Sequence, residues 1–215
     1  MIDPIINPNT RTPIAYRLYS PAHEPKSLAL LCPGFADSKD YLHFRFFGEK
    51  LAKQDYLGIA FDPTGTWESG GTPADYCITN YLADVRVLLN TFKKTVSSQK
   101  IVIIGHSLGG AVVLMAGEKY DDITHIISLT PPPDYASLAL RKQWSREHSR
   151  MTVREDPHDP TLERVSEFDY RFVEDSQQYS PIESLTRLRK PTLLLVALDD
   201  EIIPYTDSQR LSDSD

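Results

Sequence analysis

Lys100-Ile101-Val102-Ile103-Ile104-Gly105-His106-Ser107-Leu108-Gly109-Gly110 joins an apolar run to a serine set between glycines. Ile101 to Ile104 predict a buried strand, and Ala111 to Tyr120 predict a helix. Gly105-His106-Ser107-Leu108-Gly109 fits the pattern G-x-S-x-G, which in a strand–turn–helix frame lifts the serine out of the sheet edge as a nucleophile elbow. Side chains at 105 or 109 would obstruct so tight a turn. The helix that follows offers free N–H groups and partial positive charge at its start, which favour a developing oxyanion.

Outward from this turn the chain alternates. Toward the N-terminus, Ile14 to Tyr19 predict an edge strand and Ser27 to Cys32 a buried one ending in Pro33-Gly34-Phe35-Ala36. Tyr41, Phe44, Phe47 and Leu51 mark one face of a helix; Leu57 to Phe61 form the next strand; Thr79 to Val96 carry a clean helical period. Toward the C-terminus, Thr124 to Leu129 and Pro191 to Leu198 are further apolar strands. Strands alternating with helices predict an α/β fold: a mostly parallel sheet with helices on both faces. Asp134 to Arg189 break the rhythm with charge and with Trp144, Phe168, Tyr170, Phe172 and Tyr179. A cap inserted over the carboxyl end of the sheet is expected there, within one domain spanning 1–215. The aromatics suit either the cap's own core or a ligand with an aromatic or acyl part. Thr206-x-x-Gln209 reads as a capping box that opens a last helix near Asp207.

The bulk properties narrow the partners. The 215 residues suit one domain, and a net charge of −7 argues against nucleic acid and anionic membrane surfaces. The N-terminal residues show no apolar signal core, and no apolar run reaches the ~18 residues of a membrane span. Cys32 and Cys77 are too few for a disulfide framework, and Cys32 reads as a small buried hydrophobe. A cytoplasmic setting is expected.

With the elbow, the parallel rhythm and Asp200 in place, residues 26 to 211 resemble the α/β-hydrolase fold. Within it they are most similar to serine aminopeptidase-like and cinnamoyl (feruloyl) esterase-like carboxylesterases. The resemblance implies hydrolysis of carboxylic esters through an acyl-enzyme, with a small-molecule ester as substrate and no metal or cofactor. Ser107 is then the nucleophile. Asp200, in Asp200-Glu201-Ile202-Ile203-Pro204, is the acid in preference to Asp199. The backbone N–H groups of Phe35 and Leu108 are the oxyanion donors. Cys32-Pro33-Gly34-Phe35 stands where the family has His-Gly-x. Phe61 to Ser69 match its Asp-x-x-Gly-x-x-x-Ser loop with Thr64 in place of the usual Arg, and Phe168 to Asp175 are similar to a segment late in the family's insertion. A peptidase would need a carboxylate for a free amino terminus, for which Glu68, Glu174 and Asp175 are the candidates. A dehalogenase is disfavoured by Ser at the elbow.

The pattern breaks at the base. The chain order of the triad in this fold is Ser, Asp, His, and no histidine follows Asp200. The six histidines are His23, His43, His106, His125, His148 and His158. His106 reads as elbow packing, His125 as structural, His43 as a surface helix residue, and His148 and His158 belong to the insertion. The residues after Asp200 are too few for a further helix–strand unit. Three readings follow: a truncated chain of an active esterase, which is favoured, a histidine-less binding protein, or a partner that supplies strand and histidine. The uncharged strand Thr192 to Leu198 would then be an exposed edge open to self-association.

Overall fold

A computed structural model describes residues 4–98, 100–135, 144–147 and 149–212. Its centre is a sheet of six strands in the order β1-β3-β2-β4-β5-β8. These are β1 (Tyr16–Tyr19), β2 (Ser27–Cys32), β3 (Tyr56–Phe61), β4 (Ile101–His106), β5 (His125–Leu129) and β8 (Thr192–Leu195). Only β1 runs antiparallel to its neighbour. The unbroken apolar runs explain the middle of the sheet. Every residue of β2 is buried, because both of its faces are covered. The outer strand β8 is shorter than the predicted 191–198, and its residues Leu193 and Leu195 are 49% and 48% exposed.

Helices α1 (Leu42–Ala52), α2 (Ile78–Phe92), α3 (Leu108–Lys119), α4 (Arg171–Ser176), α5 (Pro181–Arg187) and α6 (Tyr205–Ser212) complete the described frame. The helical period read from the sequence places Tyr81, Leu82, Val85, Leu88, Leu89 and Phe92 of α2 in the larger core. Helix α3 is apolar all round and buried from Leu108 to Gly117, as its central position requires. On the opposite face, Phe44 of α1 meets Leu31, Ala60, Val102 and Ile104, with Tyr41, Phe47 and Leu51 partly buried against them.

The segment after β5 differs from expectation in two ways. Its weak helical patterning hides a hairpin, β6 (Arg150–Glu155) paired with β7 (Glu163–Phe168). Its last part, α5, lies along α3 instead of over the strand ends: Arg187 and Ser184 bond Glu118. The capping box at Thr206 does not form, because α6 begins one residue earlier, at Tyr205. Trp144, Phe168 and Phe172 are at most 2% exposed and surround Phe35 with ring-centroid distances of 5.0 to 5.9 Å, so these aromatics are core.

Candidate active site

Ser107 links β4 to α3 with φ 52° and ψ −119°, a conformation that costs a residue with a Cβ about 1–3 kcal/mol. Its surroundings fix it there. The Ser107 N–H donates to the Leu129 carbonyl at 2.8 Å, and its own carbonyl accepts the Ala111 N–H at 3.1 Å. The flanking glycines permit the approach of strand and helix. A Cβ at 105 would lie 2.1 Å from the Gly109 oxygen, and one at 109 would lie 2.1 Å from the Cys32 oxygen.

Leu108 is the first residue of α3, where N–H groups have no helical partner. Phe35 follows β2 in a loop held from both sides. The Ala36 N–H donates to the Tyr76 hydroxyl at 3.2 Å, and Trp67 Nε1 donates to the Ala36 carbonyl at 2.9 Å. Ala36 has φ 57°, and Thr130 beyond β5 has φ 44°, so strained residues gather round Ser107. Neither the Phe35 nor the Leu108 N–H donates to a protein acceptor among the described residues.

Asp200 follows β8. Its Oδ1 accepts the Ile202 and Ile203 N–H groups, both at 2.8 Å, and its Oδ2 has no partner among the described residues. Ser107, Asp200 and Phe35 share one cavity of about 380 Å³ with Asp37, His106 and Arg154. Asp199 is exposed and does not line it.

The histidines fall partly as expected. His106 is not buried in the elbow: its side chain is 42% exposed in the cavity wall, with Nδ1 3.6 Å from Asp37 Oδ2. His43 is an exposed residue of α1, as expected, but its ring lies 5.7 Å from that of His106 and desolvation lowers its pKa. Ligand atoms of Asp37, His43 and His106 lie within 4.8 Å of one another, so these three could hold a metal ion. His125 bonds Thr124 Oγ1, and His158 sits 3.4 Å from Asp40. His148 lies outside the described residues. The Ser107 hydroxyl has no hydrogen-bond partner among the described residues.

The loop Asp62 to Ser69 supports the site from below. Lys39, 3% exposed, bonds Asp40, Asp62 and Glu68. Burial alone would lower the Lys39 pKa, but the carboxylates outweigh it and raise it. Thr64, at the position of the usual Arg, bonds buried Asp84 through its N–H and hydroxyl, both at 2.8 Å. Glu68 is thereby engaged with Lys39, Glu174 with Arg146, and Asp175 with Thr79. None of these three lines the cavity, and its carboxylates are Asp37 and Asp200. Sequence reasoning missed Asp37, Thr130, Arg150 and Arg154, all of which line it.

A serine at a strained strand–helix turn and a carboxylate beyond the end of β8, two strands along the sheet, line one cavity and define a hydrolase-type α/β protein. The chain belongs to the α/β hydrolase fold family, whose sequence model matches residues 30–176. It is 25% identical over 195 residues to a Stutzerimonas stutzeri protein with the provisional name carbamate hydrolase RutD, a match covering 75% of this chain and 70% of that one. It is 24% identical to the monoacylglycerol lipase of Mycolicibacterium smegmatis over 128 residues, 59% of this chain and 41% of the lipase. It spans less than half the length of that relative. Among solved structures, Est1E from Butyrivibrio proteoclasticus with ferulic acid bound superposes with a TM-score of 0.78 at 22% identity, covering 99% of this chain and 85% of that one. No helix among the described residues is long and apolar enough to cross a membrane.

Proposed function

We propose that the cavity around Ser107 is a carboxylic-ester hydrolase site, and that the chain of this sequence turns esters over slowly. The observation that carries the reading is the shared cavity: Ser107 on its strained turn and Asp200 with one free carboxylate oxygen line the same 380 Å³. In the proposed chemistry the Ser107 hydroxyl attacks the ester carbonyl. The Phe35 and Leu108 N–H groups take the charge on the tetrahedral intermediate, and the alcohol leaves from an acyl-Ser107. A carboxylate such as Asp200 serves to orient an imidazole and stabilise its cation. Among the described residues no histidine hydrogen-bonds the Ser107 hydroxyl, so no base is engaged with its proton in this arrangement. Loss of the base in a related triad costs on the order of 10⁶ in turnover.

Mass spectrometry after incubation with p-nitrophenyl acetate tests the reading. Slow acetylation of Ser107, absent from Ser107→Ala, is expected. Acetylation confined to other residues would contradict it and favour a non-catalytic ligand-binding protein.

A further inference from the structure

We infer that Arg150 makes the Ser107 cavity a receptor for an ester that carries a free carboxylate. The inference rests on the ester-hydrolase reading of that cavity and adds the substrate class.

The charges in the cavity wall are unequal in their partners. Arg154 is partly engaged: Nη2 donates to the Phe35 carbonyl at 2.9 Å, whereas Nε, 3.4 Å from Asp37 Oδ1, makes no hydrogen bond. Asp200 holds two backbone N–H groups. Arg150 lines the cavity with no carboxylate or hydrogen-bond partner among the described residues. The Arg150 guanidinium instead lies over two rings, 5.2 Å from the centroid of Phe35 and 5.8 Å from that of Trp144. Stacking fixes the plane of the guanidinium and leaves its in-plane N–H groups to a planar oxyanion.

Two further unpaired groups lie near Arg150, outside the cavity lining. Thr152 is 5% exposed, lies between Arg150 and Arg154 on one face of β6, and has a buried hydroxyl without a partner. Trp144 Nε1 is a second buried donor without one among the described residues. In the cavity itself the guanidinium offers only donors, and a carboxylate offers only acceptors. The strand itself is turned the costly way. Arg150, Thr152 and Arg154 face inward, whereas Met151 and Val153 are 57% and 47% exposed. An anion bound inside offsets the cost of holding arginine there. Phe35 is both the ring under Arg150 and the proposed oxyanion residue, so the carboxylate sits a short spacer from the ester carbonyl, as in the half-ester of a dicarboxylic acid.

Calorimetric titration with monomethyl glutarate, dimethyl glutarate and inorganic phosphate tests this. Wild-type chain is expected to bind the half-ester at least about 10-fold more tightly than the diester and more tightly than phosphate. The preference should fall to within about 2-fold in Arg150→Met and persist in part in Arg150→Lys. Equal binding of the two glutarates, a preference that survives Arg150→Met, or tighter binding of phosphate would each overturn the proposal. The wild-type comparison decides alone if Arg150→Met does not fold. Ser107 acetylation is read separately, so loss of the half-ester preference with acetylation intact overturns only the substrate class. The converse result overturns only the hydrolase reading.

Discussion

Gly109 shows how little room the elbow allows. Its missing Cβ would stand 2.1 Å from the Cys32 oxygen and 2.4 Å from that of Pro33, both backbone atoms. Gly109→Ala is therefore expected to cost more than about 3 kcal/mol in urea unfolding, since strand or helix must move. Asp84 governs a second point. Burial pushes its pKa up to about 6 despite bonds from Asn7 and Thr64. Between the unfolded value of 3.8 and about 6 the folded chain binds a proton that the unfolded chain has released. The contribution of this group to stability is thus complete below about pH 4 and is lost as pH rises through 6. Urea midpoints measured from pH 4 to 7 should show this slope in the wild type and a flatter one in Asp84→Asn. The sharp turn at Ser107 and its glycines were legible because G-x-S-x-G is a local demand of the backbone. The setting of His106 was not, since nothing in its neighbours tells whether the ring turns into the sheet or the cavity.

At the scale of elements, legibility followed the direction of burial. Strands β2 and β4 bury apolar residues, and their bounds were read nearly residue for residue. The β6–β7 hairpin buries polar residues and exposes Met151, Val153 and Val165, so its alternation carried the opposite sign and was missed. The loop after β3 was recognised by motif, but its part is to carry Asp62 beneath Lys39. Asp62 is fully buried, and Asp62→Ala removes one partner of a buried cation. A loss of about 3–5 kcal/mol is expected in the same unfolding assay. A loss under 1 kcal/mol would show that Asp40 and Glu68 suffice.

For the whole molecule, the outer strand of the described sheet carries exposed apolar side chains. Strand β8 closes one side of the sheet with Leu193 and Leu195 about half exposed, and Leu198 beyond it is 71% exposed. Open apolar edges pair with other chains. Sedimentation velocity is expected to show concentration-dependent association, reduced by Leu193→Lys with Leu195→Lys. A monomer at all concentrations would contradict this. The alternation of strands and helices made the parallel sheet legible, whereas the position of α5 beside α3 depends on contacts such as Arg187 with Glu118, distant in sequence.

In the proposed reading Ser107 and Asp200 line one cavity, and the Ser107 hydroxyl is bonded to no base among the described residues. Steady-state hydrolysis of p-nitrophenyl acetate by the purified chain and by Ser107→Ala measures this directly. The expected result is wild-type turnover several orders of magnitude below the about 1–10³ s⁻¹ usual for enzymes, with its Ser107-dependent part lost in Ser107→Ala. Turnover within that range, abolished in Ser107→Ala, would show that Ser107 is activated by a base within this sequence and would contradict this reading.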